Sequence, residues 1–436
     1  MRNLVFMLAM TGMLPMAAAR PFAGVLLWSW ISFMNPHRLL WGAAASEMPW
    51  AYMIFGATVI GCFIAREPKR LVITPIMALI IAFLICITYA SFFALAAPEV
   101  VFEKYSFVAK TFFFLLITAL LLTDHRRIHA MIWIMVIALG YFGIRGGAFA
   151  LMNGGNYRVL GPPETMINDN NHLAAGLLVM LPLMNYLRLQ SKHRIVRIVL
   201  LAAMMLTLFS VLASYSRGAL IGLAAMSAFL WLRSQRKLVL GAAMVAALAG
   251  AVAFMPQKWH DRMNSIGEYQ QDESAEGRIK IWQASLAMAL ARPLTGGGFK
   301  APYTQSIVDK YAPGTTARAV HSIYFEVIGE NGFLTFFVWL AMPIVSFVSA
   351  QRVIVLTRKE PRLSWANDLA RMAQVSIVAY LVAGAFLSLC YWDYFFTLLI
   401  VVGALRRQVA GELSDSRTSA PTLPGTRARL ALSRSA

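Results

Sequence analysis

Charge is scarce in this sequence. Only 14% of its residues are Asp, Glu, Lys or Arg, where a soluble domain carries about 25%. Acids are the rarer sign, with 20 Asp and Glu against 39 Lys and Arg and a formal net charge of +19. Cysteine is nearly absent. Cys62, Cys86 and Cys390 lie in or at the edge of apolar runs, which argues against a disulfide framework and a thiolate zinc site. Long polar stretches are missing too, apart from 254–324 and the tail after Gln408. The positive charge comes without any RNA- or DNA-binding motif, so no nucleic-acid partner is expected. Basic residues gather instead in short loops, as on the cytoplasmic side of membrane proteins.

What is abundant is apolar sequence. Hydrophobic residues make up 59% of the 436, and they recur in continuous runs of about 20, the length of a membrane-spanning helix. A closed barrel would read as short alternating segments, so the fold expected is an all-α polytopic membrane protein. Spans are read at 3–19, 50–65, 71–95, 105–122, 128–150, 170–188, 195–213, 217–233, 237–255, 321–350, 368–388 and 390–406, about 12 in all. The run 4–19 follows only one basic residue and precedes many spans, so it reads as a retained first helix. The run 22–34 ends at Asn35-Pro36. At ~1.5 Å per residue it falls short of a ~30 Å hydrocarbon core, and it reads as re-entrant or interfacial. The basic loops 66–70, 125–127, 188–197, 233–237 and 352–362 and the tail from Arg406 are assigned to the cytoplasm. Both termini join them if 22–34 does not cross. Residues 1–408 then form a single transmembrane domain with a large periplasmic loop, 256–320. The polar tail 409–436 is read as disordered and cytoplasmic.

The unusual polar residues fall on the outer side of this scheme. Arg217, in Tyr215-Ser216-Arg217-Gly218, sits between two apolar runs, where a charge is expensive unless paired or functional. Arg278 opens a segment with an apolar face, which is also how a helix lying on the membrane surface reads. The run Gly296-Gly297-Gly298 resembles an anion-cradling nest, and a simple turn fits it equally well. His321 stands at the start of a span that contains Glu326 and Glu330. Acids inside a membrane segment point to function, and His is the side chain best placed to accept a proton near neutral pH. The stretch Ile167-Asn168-Asp169-Asn170-Asn171-His172 exceeds what helix capping needs, and Arg145 and Arg158 flank it. Asp169 with His172 is too thin a ligand set for a metal site.

The ordered set Tyr215-Ser216-Arg217-Gly218, Gly277-Arg278 with Trp282, Pro293-Leu294 with 296–299, and His321-Ser322 with Glu330 and Gly332 resembles the O-antigen ligase family of polysaccharide ligases and polymerases. Ser322 stands where Asn is common in that family. The segments Leu27-Trp28-Ser29-Trp30 and Met34-Asn35-Pro36-His37-Arg38-Leu39 resemble its exosortase-associated O-glycosylation branch. The resemblance implies a C-type glycosyltransferase-like fold in the bacterial inner membrane. It implies transfer of a glycan from undecaprenyl diphosphate to a hydroxyl of lipid A–core oligosaccharide at the periplasmic face, with inversion, in lipopolysaccharide biosynthesis. It also implies a reaction without nucleotide sugar, metal or other cofactor. His321 is then the expected base, with Arg217 and Arg278 on the diphosphate, whose charge a planar arginine fork matches. Arg145, Arg158, Asn168, Asn170, Asn171, Trp282, Arg318, Tyr324, Glu326 and Glu330 are weaker substrate-binding candidates. A polymerase or a protein ligase using the same donor is the nearest alternative. A transporter, which would show charges at the midplane and inverted repeats, is the alternative of another class.

Overall fold

The computed structural model describes residues 2–40, 47–234, 236–264 and 273–418. Helices account for the architecture, and no strand occurs among the described residues. In chain order they are α1 (Arg2–Ala19), α2 (Pro21–Met34), α3 (Trp50–Ile64), α4 (Pro75–Phe92), α5 (Pro98–Leu121), α6 (His125–Met152), α7 (Asn170–Gln190), α8 (Arg194–Leu212) and α9 (Arg217–Arg233). These are followed by α10 (Lys237–Phe254), α11 (Gln257–Asn264), α12 (Glu273–Ala291), α13 (Gln305–Tyr311), α14 (Ile323–Thr357), α15 (Ser364–Gly384) and α16 (Asp393–Thr418). Every predicted span lies largely within one of these helices. Eight among the described residues are long and apolar enough to cross a membrane: α4 to α8, α10, α14 and α16. The protein is therefore an all-helical polytopic membrane protein. Glu268 and Asp272, in the long loop, and the tail from 419 onward lie outside the described residues. Helix α16 runs on to Thr418, past Gln408, where the tail was expected to begin.

Burial sorts the helices. In α7, 83% of the apolar window is buried, whereas the window of α10 has no buried share. A helix that is apolar all round belongs inside the bundle, and a lipid-facing one needs no partner. Close packing of α6 on α8 depends on glycine. A Cβ on Gly147 would sit 2.0 Å from the Leu206 carbonyl oxygen, and one on Gly143 2.5 Å from Thr207 Oγ1. Small residues let helix backbones approach where lipid offers no hydrophobic drive.

The bundle has two distinguishable ends. At the basic end Arg127 donates to Glu67 Oε1 at 2.9 Å and to the Leu121 carbonyl at 2.8 Å, and Arg407 donates to the Leu122 carbonyl at 2.6 Å. At the loop end lie 153–169, 255–264, 273–322 and 385–392. Helix α2 connects the two ends. The Phe22 amide donates to Glu67 Oε2 at 2.9 Å, and Arg127 lies over the Phe22 ring. Ser32, near the other terminus of α2, donates to Asp393 at the start of α16, and Arg38 just beyond it pairs with Glu164. Helix α1 lies parallel to α3: Phe6 meets Trp50 edge-on, and Gly61 packs on the Ala17 and Ala18 carbonyls. Three helices thus reverse direction before the loop 66–70, and α1 and α16 begin and end at opposite ends of the bundle. A 14-residue helix backed by neighbouring helices need not match the hydrocarbon thickness. Reporter proteins fused ahead of α1 and after α16 are expected to report from opposite sides of the membrane. Reporters on the same side would show that α2 does not cross.

Candidate functional site

Three helix N-termini meet at the loop end. Asp169 caps α7, its carboxylate accepting the His172 amide at 2.6 Å. Ser216 caps α9 through the Ala219 amide. Ser322 precedes α14. Side chains tie these starts together. Asn170 Nδ2 donates to the Ser214 carbonyl at 2.7 Å, and the His321 amide donates to Ser388 Oγ at 2.9 Å in the 385–392 loop. Gly218 packs on Phe386 of that same loop. Helix N-termini carry partial positive charge and orphan amides, so their meeting point favours an anion.

Arginines reinforce this field. Arg217 is the first residue of α9. The Arg318 guanidinium covers Gly277, so close that a Cβ there would lie 2.1 Å from Nη1, and this brings Arg318 beside Arg278. Trp282 fixes the 318–322 segment by donating to the Val320 carbonyl at 2.7 Å and stacking on Phe325 at 5.2 Å. His321 lies inside this frame with φ 49°, a left-handed conformation uncommon for a non-glycine residue. Burial, the Arg278 charge and then His172 lower its pKa to about 4. Asp169 opposes the shift, and Arg318 adds to it. Asp169 is itself below the ordinary carboxylate range. Burial pushes it up, but the His172 side chain, 2.7 Å away, and two backbone amides outweigh burial. Among the described residues no group of three His, Cys, Asp or Glu forms that could hold a metal.

The remaining candidates divide. Arg145 and Arg158 do not join His321. They line a cavity of about 720 Å³ with Tyr141, Phe142, Phe149 and the 159–163 loop. Arg158 also lies over the Tyr215 ring at 5.9 Å, so this cavity flanks the Arg217 turn. Asn170 is buried in its bond to Ser214, and Asn171 donates to the Asn170 side chain. Asn168 lies exposed in the turn before α7. Tyr324 donates to the Leu381 carbonyl at 2.8 Å. Glu326 and Glu330 are buried against Lys104, at 2.9 and 2.7 Å, and take part in helix packing. The glycine run forms a turn: the Gly297 amide donates to the Gly329 carbonyl and the Gly296 amide to the Arg292 carbonyl, so these two amides do not form a nest. Helix α12 does not lie free on a surface. Its Ile281, Ala284 and Met288 form a small core with Ile307, Val308 and Val320. Sequence reasoning missed Lys104, Tyr303 and Ser388. The signal for Lys104 was present: a lysine at the start of an apolar run calls for an acidic partner.

Residues 202–340 match the model of the O-antigen ligase family, and residues 1–192 match a family of unknown function, DUF5935. Residues 202–340 are thus O-antigen ligase-like. No curated protein matches it. The match supports glycosyl transfer of ligase or polymerase type, between a lipid-linked glycan and an acceptor. The O-antigen ligase-like segment contains Arg217, Arg278, Arg318 and His321, while Asp169 and His172 reach the cluster from the other matched region. The depressed His321 pKa has a measurable consequence. The unfolded chain takes up a proton below about pH 6.5 that the folded site takes up only near pH 4, so this group removes stability as pH falls through that window. Imidazole resonances of the purified protein are expected to include one that titrates near pH 4, disappears in His321→Ala and moves upward in Arg278→Ala. An unmoved midpoint in Arg278→Ala would show that the arginine does not act on His321.

Proposed function

We propose that the protein is an O-antigen ligase of the bacterial inner membrane, with its loop end in the periplasm. The observation that carries this reading is a neutral, partly buried imidazole set among arginines at converging helix N-termini. Such a site suits a diphosphate leaving group beside a hydroxyl nucleophile. Arg217 and Arg278, with Arg318 beside them, hold the diphosphate of an undecaprenyl-linked glycan. Their charge stabilises the phosphate oxygen as the bond to the anomeric carbon breaks. His321 accepts the proton of an acceptor hydroxyl on lipid A–core oligosaccharide. The hydroxyl oxygen forms the new bond from the opposite face, inverting the anomeric carbon, and undecaprenyl diphosphate departs with the bonding electron pair. The cavity of Arg145 and Arg158 gives a polar substrate an approach to the same cluster. The concentration of basic loops at the other end of the bundle supports the periplasmic placement.

An imidazole with a pKa near 4 is a weak base at neutral pH, and a catalytic base works best near the operating pH. The donor itself supplies the remedy. Its diphosphate offsets the arginine charges that depress His321, so the base strengthens when the donor is bound. The acid limb of kcat/KM, which reports the free enzyme, is therefore expected at lower pH than the acid limb of kcat.

The test is transfer of labelled glycan from the lipid-linked donor by purified protein, with lipid A–core, a second lipid-linked glycan or a protein as acceptor. His321→Ala is expected to lose ~10²–10⁴-fold in turnover, while Arg217→Lys and Arg278→Lys keep charge but lose the fork and weaken donor use. Normal turnover in His321→Ala would remove the base assignment. Transfer only to the second or third acceptor would make the protein a polymerase or a protein ligase.

A further inference from the structure

The cavity of about 720 Å³ lies beside the His321 cluster and contains none of its catalytic groups. Its volume falls among pockets that enclose a small ligand, ~300–1,000 Å³. Leu39, Tyr141, Phe149 and Leu160 give it apolar and aromatic walls, and Arg145 and Arg158 are its charges. Among the described residues no carboxylate pairs with either arginine. The two acids of the stretch 141–169, Glu164 and Asp169, are committed to Arg38 and His172. Arg145 contacts the Tyr141 hydroxyl at 3.4 Å, and Arg158 lies over the Tyr215 ring. Two guanidinium groups without a counter-ion, set in apolar walls, favour an anion. Their planar forks match the oxygens of a phosphate or a carboxylate.

The cavity wall is bonded to the turn that carries Arg217. Tyr215 donates to the Gly155 carbonyl at 2.8 Å, and the Val159 amide donates to the Ala213 carbonyl at 3.0 Å. Beyond the wall, Asn170 donates to the Ser214 carbonyl at 2.7 Å. The same turn leads on to the base. Gly218 packs on Phe386, and Ser388, two residues further, accepts the His321 amide at 2.9 Å. A transfer reaction has two substrates and needs a place for each. The arginines assigned to the donor diphosphate lie in 202–340, the O-antigen ligase-like segment. Every residue lining the cavity lies in 1–192, outside that segment. Ligases and polymerases share a lipid-linked donor and differ in the acceptor. A cavity built wholly from the other segment is therefore suited to the acceptor.

We infer that this cavity binds the acceptor glycan, and that Arg145 and Arg158 recognise a phosphate or carboxylate borne by it near the hydroxyl to be glycosylated. This inference rests on the reading of the protein as a ligase with lipid A–core as acceptor. The arginines hold the anionic group, sugar rings lie against Tyr141 and Phe149, and the hydroxyl reaches past the Tyr215 turn toward His321. Binding energy taken from the anionic group in this way places the reacting hydroxyl.

The experiment uses full-length protein and two readouts. Calorimetry measures binding of core oligosaccharide released from lipid A, either untreated, dephosphorylated or carboxyl-reduced. The transfer assay measures KM separately for lipid A–core and for the lipid-linked donor. The variants are Arg145→Met, Arg158→Met, the two combined, and Arg145→Lys and Arg158→Lys. Each Met variant is expected to weaken oligosaccharide binding about 10-fold, the worth of a charge-assisted hydrogen bond. Acceptor KM should rise in parallel while donor KM holds, and the Lys variants should fall between parent and Met. Removing the recognised group from the oligosaccharide should weaken its binding to the parent but not to the double Met variant. A loss on dephosphorylation identifies phosphate, and a loss on carboxyl reduction identifies carboxylate. Parental binding in both Met variants overturns the inference. So does a rise in donor KM alone, or an equal loss on treatment in parent and double variant. Transfer to lipid A–core with arginine-independent binding removes the cavity assignment and leaves the ligase reading. Arginine-dependent binding without transfer to lipid A–core removes the ligase reading and leaves the cavity as an anionic-glycan site.

Discussion

A charge enclosed by membrane helices must have a partner, because neither hydrocarbon nor packed side chains solvate it. Most of this structure follows from that demand. The chain has few charges, and it gathers those it buries near the loop end in two adjacent arrangements. In one, Lys104 is neutralised by Glu326 and Glu330 and walled in by rings. In the other, Arg278, Arg318 and the starts of three helices surround His321 with positive potential that only Asp169 among the named groups opposes. The first arrangement is complete in itself. The second is short of negative charge, which is the condition for receiving an anionic substrate.

The two are joined by the broken course of α14. That helix kinks at Gly332, where φ is 74° and a Cβ would lie 2.5 Å from the Pro293 carbonyl oxygen. The Phe333 amide, freed from the helix at the kink, donates to that carbonyl at 2.7 Å. The half-helix from Ile323 to the kink therefore belongs mechanically to the loop that precedes it. Glycine at 296, 329 and 332 serves close packing between this loop and α14, and Gly298 packs on Ala94. This makes residues 273–322 a wall of the site: Pro293 and Gly297 are bonded to α14, and the small core packs α12 against the segment leading to His321.

Much of the fold was legible because hydropathy is a local quantity. Each run of apolar residues announces its own helix, and each basic loop announces its face. The polar residues of the cluster were legible for the same reason, since Arg217, Arg278 and His321 interrupt or border apolar runs. Roles were harder to read. Glu326 and Glu330 stood out as intramembrane acids, but the same signal fits a substrate contact and a buried ion pair. Only their 2.9 and 2.7 Å distances to Lys104 separate the two. Tyr324 and Trp282 looked equally available to a substrate, yet their polar atoms serve the Leu381 and Val320 carbonyls.

By itself the sequence determined that this is a helical membrane protein, where its helices lie, and which side chains carry charge near the ends of apolar runs. Composition and periodicity are enough for that, since lipid imposes the same demand on every span. Tertiary structure decided which charges meet. Lys104 and Glu326 are 222 residues apart and His321 and Ser388 are 67 apart, and no local pattern encodes pairings at such separations. It also decided that α2 runs the full way between the ends and that Arg145 and Arg158 line a cavity of their own. Both are consequences of helix packing, which depends on the shapes of facing surfaces.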